Sequence, residues 1–233
     1  MSTFTTATTA TATAAGTAAA SSQLARKPLD AYLSAADLAL RTLFAPAHSS
    51  RPPEAAQTPT APLNATEQQA VARMMRVNHT GEICAQALYS GQALATQNAT
   101  LRGHLVQAGQ EEMDHLAWTE RRLTQLHARP SVFNPLWYAG AFAIGYGAAK
   151  LGDDWSLGFV AETEHQVGAH LQSHIERLPE QDAHSRLILQ QMQREELEHR
   201  EHAQALGARD LPHPIKTAMR AAAKVMTSIV ARV

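Results

Sequence analysis

The sequence predicts an all-α protein built on a four-helix bundle, with further amphipathic helices beside it. Three observations lead there. From position 65 onward Ala, Leu, Gln and Glu dominate and β-branched runs are scarce, so helix propensity is favoured almost throughout. Four segments, 66–97, 100–128, 156–178 and 182–207, have the lengths of bundle helices. The breaks between them run short, long, short, at 98–100, 129–155 and 179–182.

Taken in order, residues 1–28 are an Ala/Thr/Ser-rich leader without the large apolar residues of a core or the h-region of a secretory signal. The leader is expected to be disordered, and Arg26 and Lys27 are too few basic residues for a transit peptide. The 233-residue chain can bury one good core, so 29–233 is expected to be a single domain. Leu29, Leu33, Ala36, Leu40 and Leu43 recur at helical spacing and predict a short helix over 29–44, which the proline-rich linker 45–62 ends. Short breaks then close two antiparallel hairpins, with Thr100 and Asp182 as N-caps. Two hairpins joined by one long crossover is the connectivity of ferritin-like bundles.

Two segments suit a lipid surface. Residues 130–149 carry no charge and include Phe133, Leu136, Trp137, Tyr138, Phe142, Ile144 and Tyr146. Twenty uncharged residues are just enough to span a bilayer, but the run is Gly/Ala-rich with aromatics spread along it, so it is expected to lie in the membrane interface. The tail 214–233 has no acid; Ile215, Met219, Ala222, Met226, Ile229 and Val233 form one stripe while Lys216, Arg220 and Lys224 recur on another face. It reads as a basic amphipathic helix at a membrane surface.

Net charge is −1, which supplies no basic field and argues against a nucleic-acid partner. The single Cys84 cannot form an intrachain disulfide and reads as a small core residue of a reduced, intracellular protein.

The chemistry lies in Glu112-Met113-Asp114-His115 and Glu196-Leu197-Glu198-His199, two Glu-x-x-His motifs on the second helices of the two hairpins. Positions three apart share a helix face, and a carboxylate beside an imidazole suits a first-row metal. One motif alone proves little, since a third stands at Glu162-Thr163-Glu164-His165. Depth along the bundle decides. Di-iron bundles require one further Glu on each of the other two helices, and Glu82 and Glu164 supply them. At 1.5 Å per residue, Glu82 to its helix end and back to Glu112 is about 22 Å out and about 18 Å back. Glu164 to Glu196 gives about 21 Å each way. The spacings of 30 and 32 residues thus repeat one half-site, and Glu162, which fits less well, makes the third motif a decoy.

Lone Glu and His residues in helices usually sit on solvated faces, but six at one level across four helices do not fit that reading. Four buried carboxylates need neutralising, and two iron ions per chain would do it. Either Glu111 and Glu195 or Asp114 and Glu198 would hold the imidazoles from behind. His170, six residues past Glu164, fits a proton or electron relay and a plain core or surface histidine equally well, and is not assigned.

The runs Val77-Asn78-His79-Thr80-Gly81-Glu82, Pro135-Leu136-Trp137 and Glu195-Glu196-Leu197-Glu198-His199 resemble the demethoxyubiquinone hydroxylase family of ubiquinone biosynthesis, in its bacterial form, from about Leu29 to the C-terminus. The resemblance places the family's six metal positions on Glu82, Glu112, His115, Glu164, Glu196 and His199. It implies a di-iron monooxygenase that hydroxylates the demethoxyubiquinol ring with O2. It further implies a polyprenyl quinone or quinol substrate, other proteins of ubiquinone biosynthesis as partners, and a peripheral position on the cytoplasmic side of the inner membrane. Two rival readings are a ferroxidase or peroxide scavenger of the same fold, which needs no lipid-facing surface, and a helical membrane adaptor, which needs no metal.

Overall fold

The computed structural model describes residues 28–59 and 62–233, so the expected disorder of the leader over 1–27 lies outside the described residues. The protein is all-α, with α1 at Pro28–Phe44, α2 at Ala65–Ala95, α3 at Ala99–Gln125, α4 at Asn134–Leu151, α5 at Asp153–Arg177, α6 at Ala183–Ala205 and α7 at His213–Val230. The antiparallel hairpins α2/α3 and α5/α6 make the ferritin-like bundle, and the crossover between them carries α4.

Local chemistry sets the ends. Asn64 accepts from the Thr66 and Glu67 amides while the Glu67 carboxylate takes the Asn64 amide, a reciprocal capping box that starts α2. At α3 the cap is Asn98 rather than the expected Thr100, because the Asn98 side-chain Oδ1 accepts from both the Thr100 and Leu101 amides. Asp182 caps α6 as expected, accepting from the Ser185 amide at 3.1 Å.

Two apolar layers bracket the bundle's middle. Met75, Leu123, Leu171, Ile188, Leu189 and Met192 fill one. Tyr89, Leu101, Leu105, Leu157, Val160 and Ala203 fill the other. On every bundle helix the stretch between these layers holds buried acids or histidines, which burial permits only when they are partnered.

The crossover packs against the bundle. Helix α4 lies along α2 and buries Tyr138, Gly145, Ala148 and Ala149, leaving Leu136, Ile144 and Leu151 exposed. The helices meet backbone to backbone: a Cβ on Gly145 would collide with the Leu88 carbonyl, and one on Gly91 with the Phe142 carbonyl. Gly145→Ala is therefore expected to cost about 2 kcal/mol and lower the melting temperature by about 4–8 °C. Gly147→Ala, on open space in the same helix, should hold or raise it. Circular dichroism melts of the two variants test this, and equal melting temperatures would refute the close packing.

The linker is not a passive spacer. Glu54–Gln57 form a 3-10 turn, Ala55 is fully buried, and the Glu54 amide donates to Gln191 Oε1 at 2.8 Å, so the segment straps across α3 and α6. In α7, two of the cations on the basic face pair with acids of the chain. Lys216 pairs with Asp210 and, at 3.6 Å, with the buried Glu162, while Arg220 lies 3.8 Å from Glu162. Among the described residues no helix is long and apolar enough to cross a membrane.

Candidate metal centre

Glu82 on α2, Glu112 and His115 on α3, and Glu196 on α6 converge so that one ligand atom from each lies within 4.8 Å of every other. His115 Nδ1 faces Glu112 Oε2 at 3.0 Å, Glu196 Oε1 at 3.2 Å and Glu82 Oε2 at 3.7 Å. His199 Nδ1 faces Glu112 Oε1 at 3.0 Å and Glu196 Oε2 at 3.5 Å. Glu112 and Glu196 thus each stand between both imidazoles, one oxygen toward each. Glu164 is buried nearby, accepting from the Tyr89 hydroxyl at 2.7 Å. The third motif does not join: Glu162 is taken up by α7 and His165 is exposed.

The rear nitrogens answer the choice the sequence left open. His115 Nε2 lies 2.7 Å from Glu195 Oε2, and His199 Nε2 lies 2.7 Å from Glu111 Oε2. Each imidazole is therefore held by the glutamate that precedes the other motif, across the bundle. Asp114 serves elsewhere, accepting from the Ser50 amide at 2.6 Å, the Ser49 hydroxyl at 2.9 Å and Arg51 Nε at 3.0 Å. Glu198 is exposed.

Electrostatics make the cluster demanding. Burial first, and then repulsion from Glu112 and Glu196, raise the Glu82 carboxyl well above its usual range. Glu164 is raised by burial and by Glu196 and Glu112. Burial alone would lower the imidazoles, but Glu112 and its neighbours outweigh it, raising His115 strongly and His199 to about 12. Against its own burial, Glu112 is held below the carboxylate range by the two histidines. Among the described residues no Lys or Arg forms an ion pair with Glu82, Glu112, Glu164 or Glu196. Glu112 Oε1, Glu196 Oε2 and His199 Nδ1 are buried without a hydrogen-bond partner although they face one another. Buried oxygen and nitrogen atoms that face one another and are left without a hydrogen bond, as these three are, are what a bound cation satisfies.

Two residues the sequence reading missed complete the surroundings. Tyr89 lies seven residues past Glu82 on the same face of α2; an aromatic at core spacing gives no sequence sign of its hydrogen bond. Arg51 grips both Glu195 oxygens, at 2.7 and 2.5 Å, besides Asp114, and stacks 5.0 Å from the Trp118 ring. One signal could have found it: Arg51 is the only Lys or Arg between Arg41 and Arg73.

Residues 69–230 match the family model described as ubiquinone biosynthesis protein COQ7. Curated relatives named 3-demethoxyubiquinol 3-hydroxylase include one from Chromobacterium violaceum, 55% identical over 199 residues that make up 85% of this chain and 97% of the relative. One from Polaromonas naphthalenivorans is 56% identical over 210 residues, covering 88% and 98%. One from an Azoarcus species is 54% identical over 197 residues, covering 84% and 96%.

Proposed function

The chain belongs to the ubiquinone biosynthesis protein COQ7 family, and from that premise we propose that it is a di-iron monooxygenase that hydroxylates the ring of demethoxyubiquinol with dioxygen. The observation that carries the metal reading is the placement of Glu112 and Glu196, each between His115 and His199, with no Lys or Arg among the described residues paired to either. Glu82, Glu112, His115, Glu164, Glu196 and His199 would hold two irons. When bound, the pair supplies dioxygen activation: one oxygen atom enters the ring, the other leaves as water, and an external reductant provides two electrons.

The chain's own residues do the rest. Glu111 and Glu195 fix the orientation of the imidazoles and strengthen their donor character. Tyr89 keeps its proton, since burial and Glu164 push the phenol well above its usual value, so it remains a hydrogen-bond donor to Glu164. The apolar layers on either side exclude water from the centre. Residues 29–233 act as a single domain in this reading.

A peripheral position on the cytoplasmic side of the inner membrane belongs to the same proposal. It is supported by exposed Leu136, Ile144 and Leu151 on α4 and by exposed Leu29, Leu33, Leu40 and Phe44 on α1. A polyprenyl quinol would then reach the enzyme from lipid, and other proteins of ubiquinone biosynthesis could dock there. The test is turnover of iron-loaded protein on a demethoxyubiquinol analogue under labelled dioxygen, read by mass spectrometry. One labelled oxygen in the ring is expected. Peroxide consumption or iron oxidation without ring hydroxylation would favour the scavenger or ferroxidase reading instead.

A further inference from the structure

At the end of the bundle remote from Asp153, a cavity of about 1200 Å³ opens between α2, the α3–α4 junction, α5 and α7. It shares no residue with the candidate metal centre. Five arginines line it from four parts of the chain: Arg73 and Arg76 from α2, Arg129 from the junction, Arg177 from α5 and Arg232 after α7. No Asp or Glu lines it, and none of the five is ion-paired among the described residues. Arg76 Nε also donates to the Arg129 backbone carbonyl at 2.8 Å, which ties α2 to the junction beside the cavity. Five cations around one concavity, in a chain of net charge −1, make a local positive patch rather than a general basic surface.

The wall adds neutral polar groups. His170 and His174 meet edge to face at 4.1 Å, and burial together with Arg177 lowers both imidazoles, His174 to about 3. His174 Nδ1 is spoken for by Asn78 at 2.9 Å, while His170 Nε2 is buried without a partner. The cavity's positive charge therefore comes from guanidinium groups, whose planar forks match phosphate oxygens in pairs. Its volume of about 1200 Å³ exceeds both what a bare ion needs and the roughly 300–1,000 Å³ of small-molecule sites, leaving room for an ester-linked phosphate or a headgroup.

We propose that this cavity is a binding site for a phosphate-bearing ligand, either a soluble phosphate or diphosphate ester or the headgroup of an anionic phospholipid. The assignment is independent of the hydroxylase reading, because no residue is common to the two sites.

The test uses the full chain, with Arg73→Gln/Arg177→Gln as the cavity variant and Arg121→Gln, on the exposed surface of α3, as the control. Inorganic diphosphate binding is measured by calorimetry, with citrate as a carboxylate anion for comparison. Sedimentation with phosphatidylcholine vesicles, with and without phosphatidate, covers the lipid source. Diphosphate binding at least about tenfold weaker in the cavity variant, unchanged in the control and tighter than citrate is the expected result for a soluble ligand. Phosphatidate-dependent sedimentation that the cavity variant loses and diphosphate competes away would identify the headgroup as the source. The proposal is overturned when neither probe distinguishes the cavity variant from the control, or when citrate binds as well as diphosphate. Helical signal and iron content should stay constant in both variants, which separates this outcome from any failure of the hydroxylase reading.

Discussion

Glu112→Ala is expected to abolish iron binding at both positions, whereas Glu82→Ala should leave about one iron per chain. The difference follows from what each carboxylate faces. Glu112 presents one oxygen to His115 and the other to His199, so its loss removes a donor from each half of the cluster. Glu82 faces His115 only, and the His199 side keeps Glu164 close by. Elemental analysis of the purified variants measures the counts, and two irons in Glu112→Ala would sink the assignment. Helical signal should change little, since bundle packing rather than the centre supplies most of the stability. Binding must also release protons, because His115 and His199 are held protonated by their glutamates and a metal needs them neutral. Iron affinity is therefore expected to fall as pH falls. In the metal-free chain the sign reverses. A folded value raised to about 12 for His199 means its contribution is full below the ordinary imidazole value of 6.5 and is lost as pH rises toward 12. Melting temperatures with and without iron should diverge as pH increases.

How far the sequence carried is visible in single residues. The level of the glutamates was legible because helix rise is constant, so counting from Glu82 and Glu164 to the hairpin turns and back fixes depth without side-chain detail. The partners of the imidazoles were not legible. Glu111 and Glu195 precede the motifs while Asp114 and Glu198 lie within them, and only the separation between α3 and α6 shows that each histidine reaches across. The N-cap of α3 was misplaced because Asn98 and Thr100 are both good caps, and the longer reach of Asn98 wins. Lys216 and Arg220 recur every four residues, a pattern that suits lipid headgroups and a buried acid equally. Glu162, discarded as part of a decoy motif, proved to be their partner. Helix α4 was read from its aromatics as a surface segment, yet its glycines decide its position, since Gly145 lets its backbone touch that of α2.

Arg51→Met is expected to weaken iron binding by about 10–100-fold, and to do so unevenly across the two halves of the centre. Arg51 sits in the linker, outside the bundle helices, yet it holds both oxygens of Glu195, which in turn lies against His115 Nε2. Against its own burial, the Glu195 carboxyl is held below the usual range, first by His115 and then by Arg51, so it stays ionised behind the imidazole. His199 has no such support: its rear partner Glu111 is half-exposed and touches no arginine. Removing the guanidinium should therefore loosen the His115 side and spare the His199 side, so that only one of the two binding steps in an iron titration shifts from its parent value. Arg51→Lys keeps the charge but loses the fork that spans Glu195 and Asp114, so it should fall between parent and Met. Titration calorimetry at fixed pH, repeated one pH unit lower, separates this role from simple anchoring of the linker. A positioning role predicts that the weakened step becomes more sensitive to pH, because Glu195 no longer steadies the imidazole as it gives up its proton. Uniform weakening of both steps, with unchanged pH sensitivity, would mean that Arg51 only ties the linker to α3 and α6.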